Sequence, residues 1–479
     1  MQQSTEPTTK TDAIPRLAGP DVGVSLVPDN RAAFALRALS ARAATETLDL
    51  QYYLWHEDMT GCLLAREVLR AADRGVRVRL LLDDLYVRGS ERGLASLAEH
   101  PSIDVRLYNP FRVRTWGSLG AALDFLLASY RLNQRMHNKS WIADGRLAIG
   151  GGRNIGDEYF DAASQFNFRD LDLVVEGGAA TQAVTQFKRY WDSPQVRPLE
   201  ALTAPRHGPS TEDLDELRRR LDEVASTAPG SEHLVRLATG PGLAAWLAEW
   251  RILVPPAQVR IVADPPGKAR NRRKGRILLD DVREAIGKAR REVIVVSPYF
   301  VPGRRGARLL TGLVRQGVRV VVLTNSLAAT DVLAVHGGYA RYRRRLLRAG
   351  VELHEFKRGG QEGGSLLGSG GASLHTKAFC VDGEVAFVGS FNFDPRSAYL
   401  NTEMGIFVLH PPVASRLNEE CIRLADPARS WAVRLEGRHL VWTDRVGGEH
   451  TRLHSEPGTT LTRRALARVL GVLPIEPHL

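Results

Sequence analysis

The chain has 479 residues, enough for two domains that each bury their own core. Its 43% apolar and 25% charged residues are ordinary for a globular protein and exclude a low-complexity or fibrous chain. The formal net charge of +11 leaves two readings open: an anionic partner such as phospholipid or nucleic acid, or an arginine-biased composition in which eight of 65 basic residues are lysine.

Met1–Pro20 is polar, rich in Ser, Thr and Pro, and lacks an apolar h-region, so residues 1–24 read as a disordered lead-in and not a signal peptide. Residues 25–200 read as a first α/β domain. An apolar strand at Leu48–Leu54 leads to a helix that stops near Gly75, a buried strand follows, and a second helix gives way to a short strand at Asp104–Tyr108. The stretch Phe111–Arg135 mixes aromatics and leucines with arginines, as an amphipathic helix on the sheet or an interfacial element would. The longest apolar run, Leu119–Tyr130, is too short to span a bilayer and carries Asp124.

Residues 201–257 read as a helical connector, rich in Glu, Arg, Leu and Ala, broken by Pro205, Pro209 and Pro229, and partly packed on the first domain. Residues 258–445 then repeat the earlier order. After an opening strand at Val259–Ala263 come a strand at Ile294–Phe300, a helix stopping at Gly317, a buried strand, a helix stopping at Gly350 and a short strand at Val351–Phe356. Arg74–Leu85 aligns with Gln316–Leu327 without a gap. The basic run Lys268–Arg276 reads as a solvated loop or as a surface for anionic groups, and residues 446–479 as a basic and apolar tail. This order predicts the α/β class with a largely parallel sheet in each half. Cys62, Cys380 and Cys421 lie far apart with no CxxC spacing, which gives no disulfide framework or zinc site and fits a reducing cytoplasm.

One pattern occurs twice with identical spacing. His137, Lys139, Asp144, Gly151, Gly152 and Asn154 correspond to His375, Lys377, Asp382, Gly389, Ser390 and Asn392. Asp144-Gly145 and Asp382-Gly383 sit between short apolar runs, which predicts a β-hairpin with a type I′ turn. Histidine and lysine, two apart on the incoming strand, leave the same face. The aspartate falls at the turn, far from the histidine, and is expected to hold the architecture through a buried charge pair. The small residues of the return strand let backbone N–H groups approach an oxyanion, with asparagine as a neutral donor.

Two histidines facing one phosphate allow a double displacement. One attacks phosphorus; the other protonates the leaving alkoxide and then deprotonates the acceptor. Each ring needs an acceptor on its other nitrogen: Glu403 follows the second motif, and Asp170, with Asp172 as runner-up, follows the first at a similar distance. Lysines, asparagines and backbone amides neutralise the phosphoryl charge, so no metal or cofactor is expected.

The doubled motif resembles the signature of the phospholipase D superfamily, over roughly residues 25–445. The resemblance implies two similar α/β/α sandwich domains with one active site at their interface, acting on a phosphodiester. It implies His137 as nucleophile and His375 as general acid and base. Leu48–Trp55, Arg135–Lys139, Gly151–Phe160 and Gly389–Ser397 are similar to bacterial cardiolipin synthases without N-terminal membrane spans. That likeness implies transfer of a phosphatidyl group to phosphatidylglycerol, with phosphatidylethanolamine as a candidate donor. It also implies peripheral association with the cytoplasmic face of a bacterial membrane. Tyr52, Tyr53 and Trp55 are then either core aromatics or the lining of a headgroup cleft. Hydrolysis to phosphatidic acid is the alternative reading. A nucleic-acid phosphodiesterase is less well supported, because both motifs lie in one chain. The residues carry no signal for an oligomeric state.

Overall fold

In each half, runs of Val, Ile and Leu form strands because such side chains pack well on a pleated surface buried on both faces. The computed structural model describes residues 13–17, 19–87, 91–111, 133–202, 211–268, 277–359, 372–473 and 476. The first half contributes β1 (Val22–Val27), β2 (Thr47–Tyr52), β3 (Arg77–Asp83), β4 (Ile103–Tyr108), β5 (Ser140–Ala143), β6 (Leu147–Gly151), β7 (Asn167–Arg169), β8 (Asp172–Glu176) and β9 (Val196–Pro198). A further strand, β10 (Ile252–Val254), closes the connector and pairs with β1. The second half contributes β11 (Val259–Ala263), β12 (Glu292–Val296), β13 (Arg319–Asn325), β14 (Glu352–Phe356), β15 (Ala372–Leu374), β16 (Ala378–Val381), β17 (Val385–Gly389), β18 (Met404–Val408) and β19 (Ser430–Glu436). β20 (His439–Val446) and β21 (Glu449–Leu453) follow.

The two large sheets have the same plan. One runs β1-β8-β6-β5-β2-β3-β4-β9 and the other β11-β18-β17-β16-β12-β13-β14-β19, position for position. Only β2-β3-β4 and β12-β13-β14 are parallel; the remaining pairs are antiparallel. The expectation of a largely parallel sheet is therefore corrected. The strand–helix–strand crossovers supply three parallel strands per half, and the motif hairpins β5-β6 and β16-β17 add antiparallel ones beside them. Gly75 and Gly317, at φ 90° and 88°, end the first helix of each crossover as expected.

The inner faces of both sheets share one buried cluster, in which Ile142, Ala148 and Val175 lie with Ile294, Val388 and Ile406. Helices Ala180–Trp191 and Pro411–Ala425 complete this middle layer. Separate clusters bury the outer faces, and the connector helices Thr211–Ser226, Ala228–Thr239 and Leu243–Trp250 add Leu217, Leu237 and Leu247 to the outer cluster of the first half. At the far end β20 and β21 widen the second sheet beyond residue 445, where the sequence suggests only a tail. Lys268 is fully buried, donating to Asp264 at 2.6 Å and to the Ser397 carbonyl at 2.7 Å, so it does not belong to a solvated loop. The rest of that basic run, 269–276, lies outside the described residues, as does 112–132 of the suggested interfacial stretch.

Both hairpins turn as expected. Asp144 and Gly145 have φ 50° and 63°, Asp382 and Gly383 φ 56° and 67°, and a bond from Arg146 N to Ala143 O (3.0 Å) or Glu384 N to Val381 O (2.9 Å) closes each turn. The motif aspartates do not form buried charge pairs. The Asp144 carboxylate accepts from the backbone N–H groups of Thr45 (3.0 Å), Glu46 (2.8 Å) and Thr47 (2.9 Å). Asp382 accepts from those of Arg290 (2.9 Å), Arg291 (2.7 Å) and Glu292 (2.8 Å). Three successive amides point at one spot there, and a carboxylate is the short side chain that satisfies all three. Each aspartate thus ties its hairpin to the entrance of β2 or β12. Asp144→Ala and Asp382→Ala are each expected to lower stability by about 1–3 kcal/mol. The check is the midpoint of urea unfolding, and an unchanged midpoint contradicts the role.

Candidate active site

The two halves are stitched together by backbone at the point where the motifs begin. β7 and β15 form a two-stranded parallel ladder in which Leu374 pairs with Arg169. On the other side of the site Met136 pairs with Thr402 as a single parallel bridge. His375 N then donates to Arg169 O at 2.8 Å, and His137 N to Thr402 O at 2.9 Å. In both places the residue before a motif histidine pairs with the residue before an acid of the other half.

The acids consequently cross over. His137 Nδ1 lies 2.8 Å from Glu403 Oε2, and His375 Nδ1 lies 2.6 Å from Asp170 Oδ2. Glu403 and Asp170 are the orienting partners named from sequence, but each serves the histidine of the opposite half. Asp172, the runner-up, is held elsewhere by Arg37 (2.9 Å) and Arg153 (3.2 Å). With each Nδ1–H donated to a carboxylate, the Nε2 nitrogens carry the free lone pairs.

Gly152 and Ser390 match the length of these acids. A Cβ at Gly152 would lie 2.2 Å from Asp170 Oδ1, so no side chain fits beside the shorter acid. Across the site the longer Glu403 reaches further, and Ser390 Oγ donates to it at 2.5 Å while accepting from Met404 N at 3.0 Å. Glu403 N in turn donates to Asp264 at 3.0 Å, a contact that nothing in the sequence signals.

Lys139 Nζ donates to the His137 carbonyl at 2.7 Å and lies 5.2 Å from the Tyr53 ring. Lys377 Nζ donates to the His375 carbonyl and sits 2.8 Å from His375 Nδ1. That nitrogen takes one partner, and the shorter carboxylate contact together with the symmetry to His137 makes it Asp170. Asn154 Nδ2 donates to the Tyr159 hydroxyl at 2.9 Å; Asn154 Oδ1 and Asn392 Oδ1 are buried without a hydrogen-bond partner among the described residues. Aromatic rings wall the imidazoles: Tyr53 stands edge-on to His137 at 5.1 Å, and Tyr159 and Phe168 lie 5.3 and 4.7 Å from His375. Of the three aromatics named near β2, only Tyr53 reaches the site. Tyr52 is core, with its hydroxyl bound by Arg37, and Trp55 stacks on Trp141. Tyr159 and Phe168 follow the first motif without any spacing that marks them.

Burial governs protonation here. It pushes the His137 imidazole down to about 4, with Glu403 pulling upward and Lys139 and Lys377 pushing further down. His375 is driven well below its ordinary value by burial and then by Lys377 and Lys139. Lys377 falls to about 8 for the same first reason, whereas burial raises Asp170. Burial would raise Glu403 too, but His137, Lys139 and Ser390 outweigh it and hold it below the usual range. Both imidazoles are therefore neutral near pH 7. A bound phosphodiester monoanion adds a negative charge between them and draws a proton onto one ring.

The His137 shift has a consequence for stability. Unfolded, this histidine binds its proton near 6.5; folded, only near 4. Between those values the unfolded chain holds a proton that the folded chain lacks, so stability falls as pH falls through the window. Going from pH 7 to pH 4, the unaltered protein is expected to lose on the order of 2–3 kcal/mol more than His137→Asn. Urea unfolding at both pH values measures this, and equal losses would place the folded histidine near its ordinary value.

Known proteins resemble this chain along most of its length. A family described as "Cardiolipin synthase, PLD-like domain" matches residues 40–191 and 282–425. Cardiolipin synthase C of Escherichia coli (strain K12) is 40% identical over 93% of this chain and 93% of its own length. A cardiolipin synthase of Listeria monocytogenes is 25% identical over 83% of this chain and 68% of its own. The crystal structure of phosphatidylserine synthase from Haemophilus influenzae Rd KW20 matches the fold with a TM-score of 0.61, at 14% identity over 95% of both chains. The two matched segments hold one motif and one orienting acid each, and the chain belongs to the phospholipase D-like family of cardiolipin synthases.

Proposed function

We propose that the chain is a phosphatidyltransferase that passes a phosphatidyl group through a phosphohistidine to the glycerol hydroxyl of phosphatidylglycerol. The observation that carries this reading is the crossed pair of buried imidazoles, each held at Nδ1 by a carboxylate of the other half. Likeness over 93% of the chain to a cardiolipin synthase supports the choice of a lipid phosphodiester.

His137 Nε2 attacks phosphorus and forms an N–P bond as the bond to the donor headgroup oxygen breaks. His375, protonated when the anion binds, gives its proton to that alkoxide, and the headgroup leaves as an alcohol. Next, His375 takes the proton of the incoming glycerol hydroxyl, its oxygen bonds to phosphorus, and the N–P bond breaks to restore His137. Lys139 and Lys377 balance the phosphoryl charge, and Asn154 and Asn392 stand at matching positions as amide donors. Asp170, Glu403, Ser390 and Gly152 support the rings and do not touch the phosphate. Asp144 and Asp382 act only through the fold.

Reversible contact with a bilayer surface fits the C-terminal helix Leu461–Val472. It exposes Leu461 and Val472 at 79% each and Val469 at 56%, on a segment that carries Arg463, Arg464 and Arg468. Among the described residues no helix is long and apolar enough to cross a membrane.

Two experiments test the mechanism and the product. His137→Asn is expected to abolish turnover and the covalent phospho-enzyme, while His375→Asn still traps some adduct in a rapid denaturing quench at neutral pH, because acid would cleave the N–P bond. Adduct in the first variant but not the second reverses the roles. Phosphatidylglycerol vesicles, with and without phosphatidylethanolamine, are expected to yield cardiolipin with the purified protein. Phosphatidic acid as the sole product would replace transfer with hydrolysis.

A further inference from the structure

The second motif has a second face. Along Ser390–Phe393 the side chains alternate: Ser390 bonds to Glu403, and Asn392 holds the motif position matching Asn154. Phe391 and Phe393 point the other way, with rings 5.6 Å apart, into a cavity of about 670 Å³. It lies in the outer layer, between helices Leu278–Gly287, Gly303–Arg315 and Pro395–Tyr399, and is separate from the cleft of the histidines. Val282, Ile286, Leu310, Phe391, Phe393 and Ala398 make it apolar. Its size falls within the range of small-molecule sites.

The first half differs at the matching position. At the position matching Phe391 stands Arg153, fully buried and donating to Val27 O at 3.0 Å, Pro28 O at 3.0 Å and Asn30 Oδ1 at 2.9 Å. One copy of the repeat has filled this space with a saturated cation, and the other has left it lined with hydrocarbon. The border is cationic. Arg304 and Arg305 are exposed and have no ion-pair partner among the described residues, and Arg283 donates to the Tyr399 hydroxyl at 3.2 Å. Two carboxyls also line it. Glu476 is engaged by Tyr342 (2.7 Å) and Arg341 (3.3 Å), and Asp394 accepts from Ser397 N at 2.6 Å.

We propose that this cavity holds an acyl chain of an anionic phospholipid, whose phosphate rests on Arg304 and Arg305. An apolar interior bordered by cations without an ion-pair partner among the described residues is complementary to that amphiphile and to no neutral lipid as well. The site keeps a lipid beside the reacting phosphate without occupying the histidine cleft. The choice of phospholipid rests on the proposed function.

The test uses the full-length His137→Asn/His375→Asn protein, so no turnover is involved. It is incubated with vesicles containing phosphatidylglycerol that carries a diazirine at one acyl terminus, irradiated, digested and mapped by mass spectrometry. Label is expected on peptides holding Val282–Ile286 and Leu309–Leu310, reduced at least fivefold by excess unlabelled phosphatidylglycerol. Arg304→Glu/Arg305→Glu, changed at exposed positions that leave the core intact, is expected to lower it at least fivefold, and Ala398→Trp to lower it similarly. A phosphatidylcholine probe is expected to label these peptides at most one-fifth as much. Label confined to peptides around the histidines, label on the cavity unchanged by the arginine reversals, or label appearing only after removal of residues 474–479 would each overturn the proposal. Cardiolipin formation together with an unlabelled cavity leaves the proposed function standing without this site. Phosphatidic acid as product together with a labelled cavity does the reverse.

Discussion

Everything chemical in this molecule depends on the exchange of acids between halves. Residue 136 pairs with 402, and 374 with 169, so each histidine enters the site already bonded through its backbone to the strand that carries the opposite acid. The side-chain pairs at 2.8 and 2.6 Å extend that backbone register. A histidine ring free to rotate would present either nitrogen to phosphorus; here the ring orientation is set before a substrate arrives. Geometry fixed in advance is where much of the catalytic advantage of such a site resides.

The same exchange makes the site expensive to build. Two imidazoles, two ammonium groups and two carboxylates are buried together, and their protonation is shifted by desolvation first and by one another second. Such clusters hold only when every charge keeps its partner, and removing one from a buried pair costs about 3–5 kcal/mol. The surroundings supply that discipline. Asp264 holds the Glu403 backbone, Ser390 its carboxylate, and the aromatic rings stand edge-on against the imidazoles.

Much of this was legible in the chain, because the motif is a local object. Spacing alone placed the histidine and lysine, the type I′ hairpin, the helix stops at Gly75 and Gly317 and the identity of Asp170 and Glu403 as orienting acids. What escaped was long-range. Which acid meets which ring depends on how two sheets face each other, and no spacing within one half records that. The carboxylates of Asp144 and Asp382 looked like charge-pair partners because sequence shows side chains, while their actual partners are backbone amides. The parallel sheet was overextended for a related reason: the crossover helices advertise their strands, and the hairpin strands that join them edge to edge advertise nothing about direction. Lys268 read as part of a solvated run from its neighbours, although its own partner, Asp264, is four residues away.

The repeated plan has the geometry of a two-fold symmetric dimer interface, in which residue i meets j and j meets i. In a true homodimer, any change at one position appears at both. Here the connector joins the two copies in one chain and lifts that constraint. A glycine beside the shorter acid and a serine beside the longer one have become separate solutions to the same contact. A buried arginine in one copy likewise stands where the other keeps a phenylalanine-lined hollow. Broken symmetry is thus the permission for a division of labour: a reaction with two chemically different steps can be served by two half-sites that no longer have to be the same.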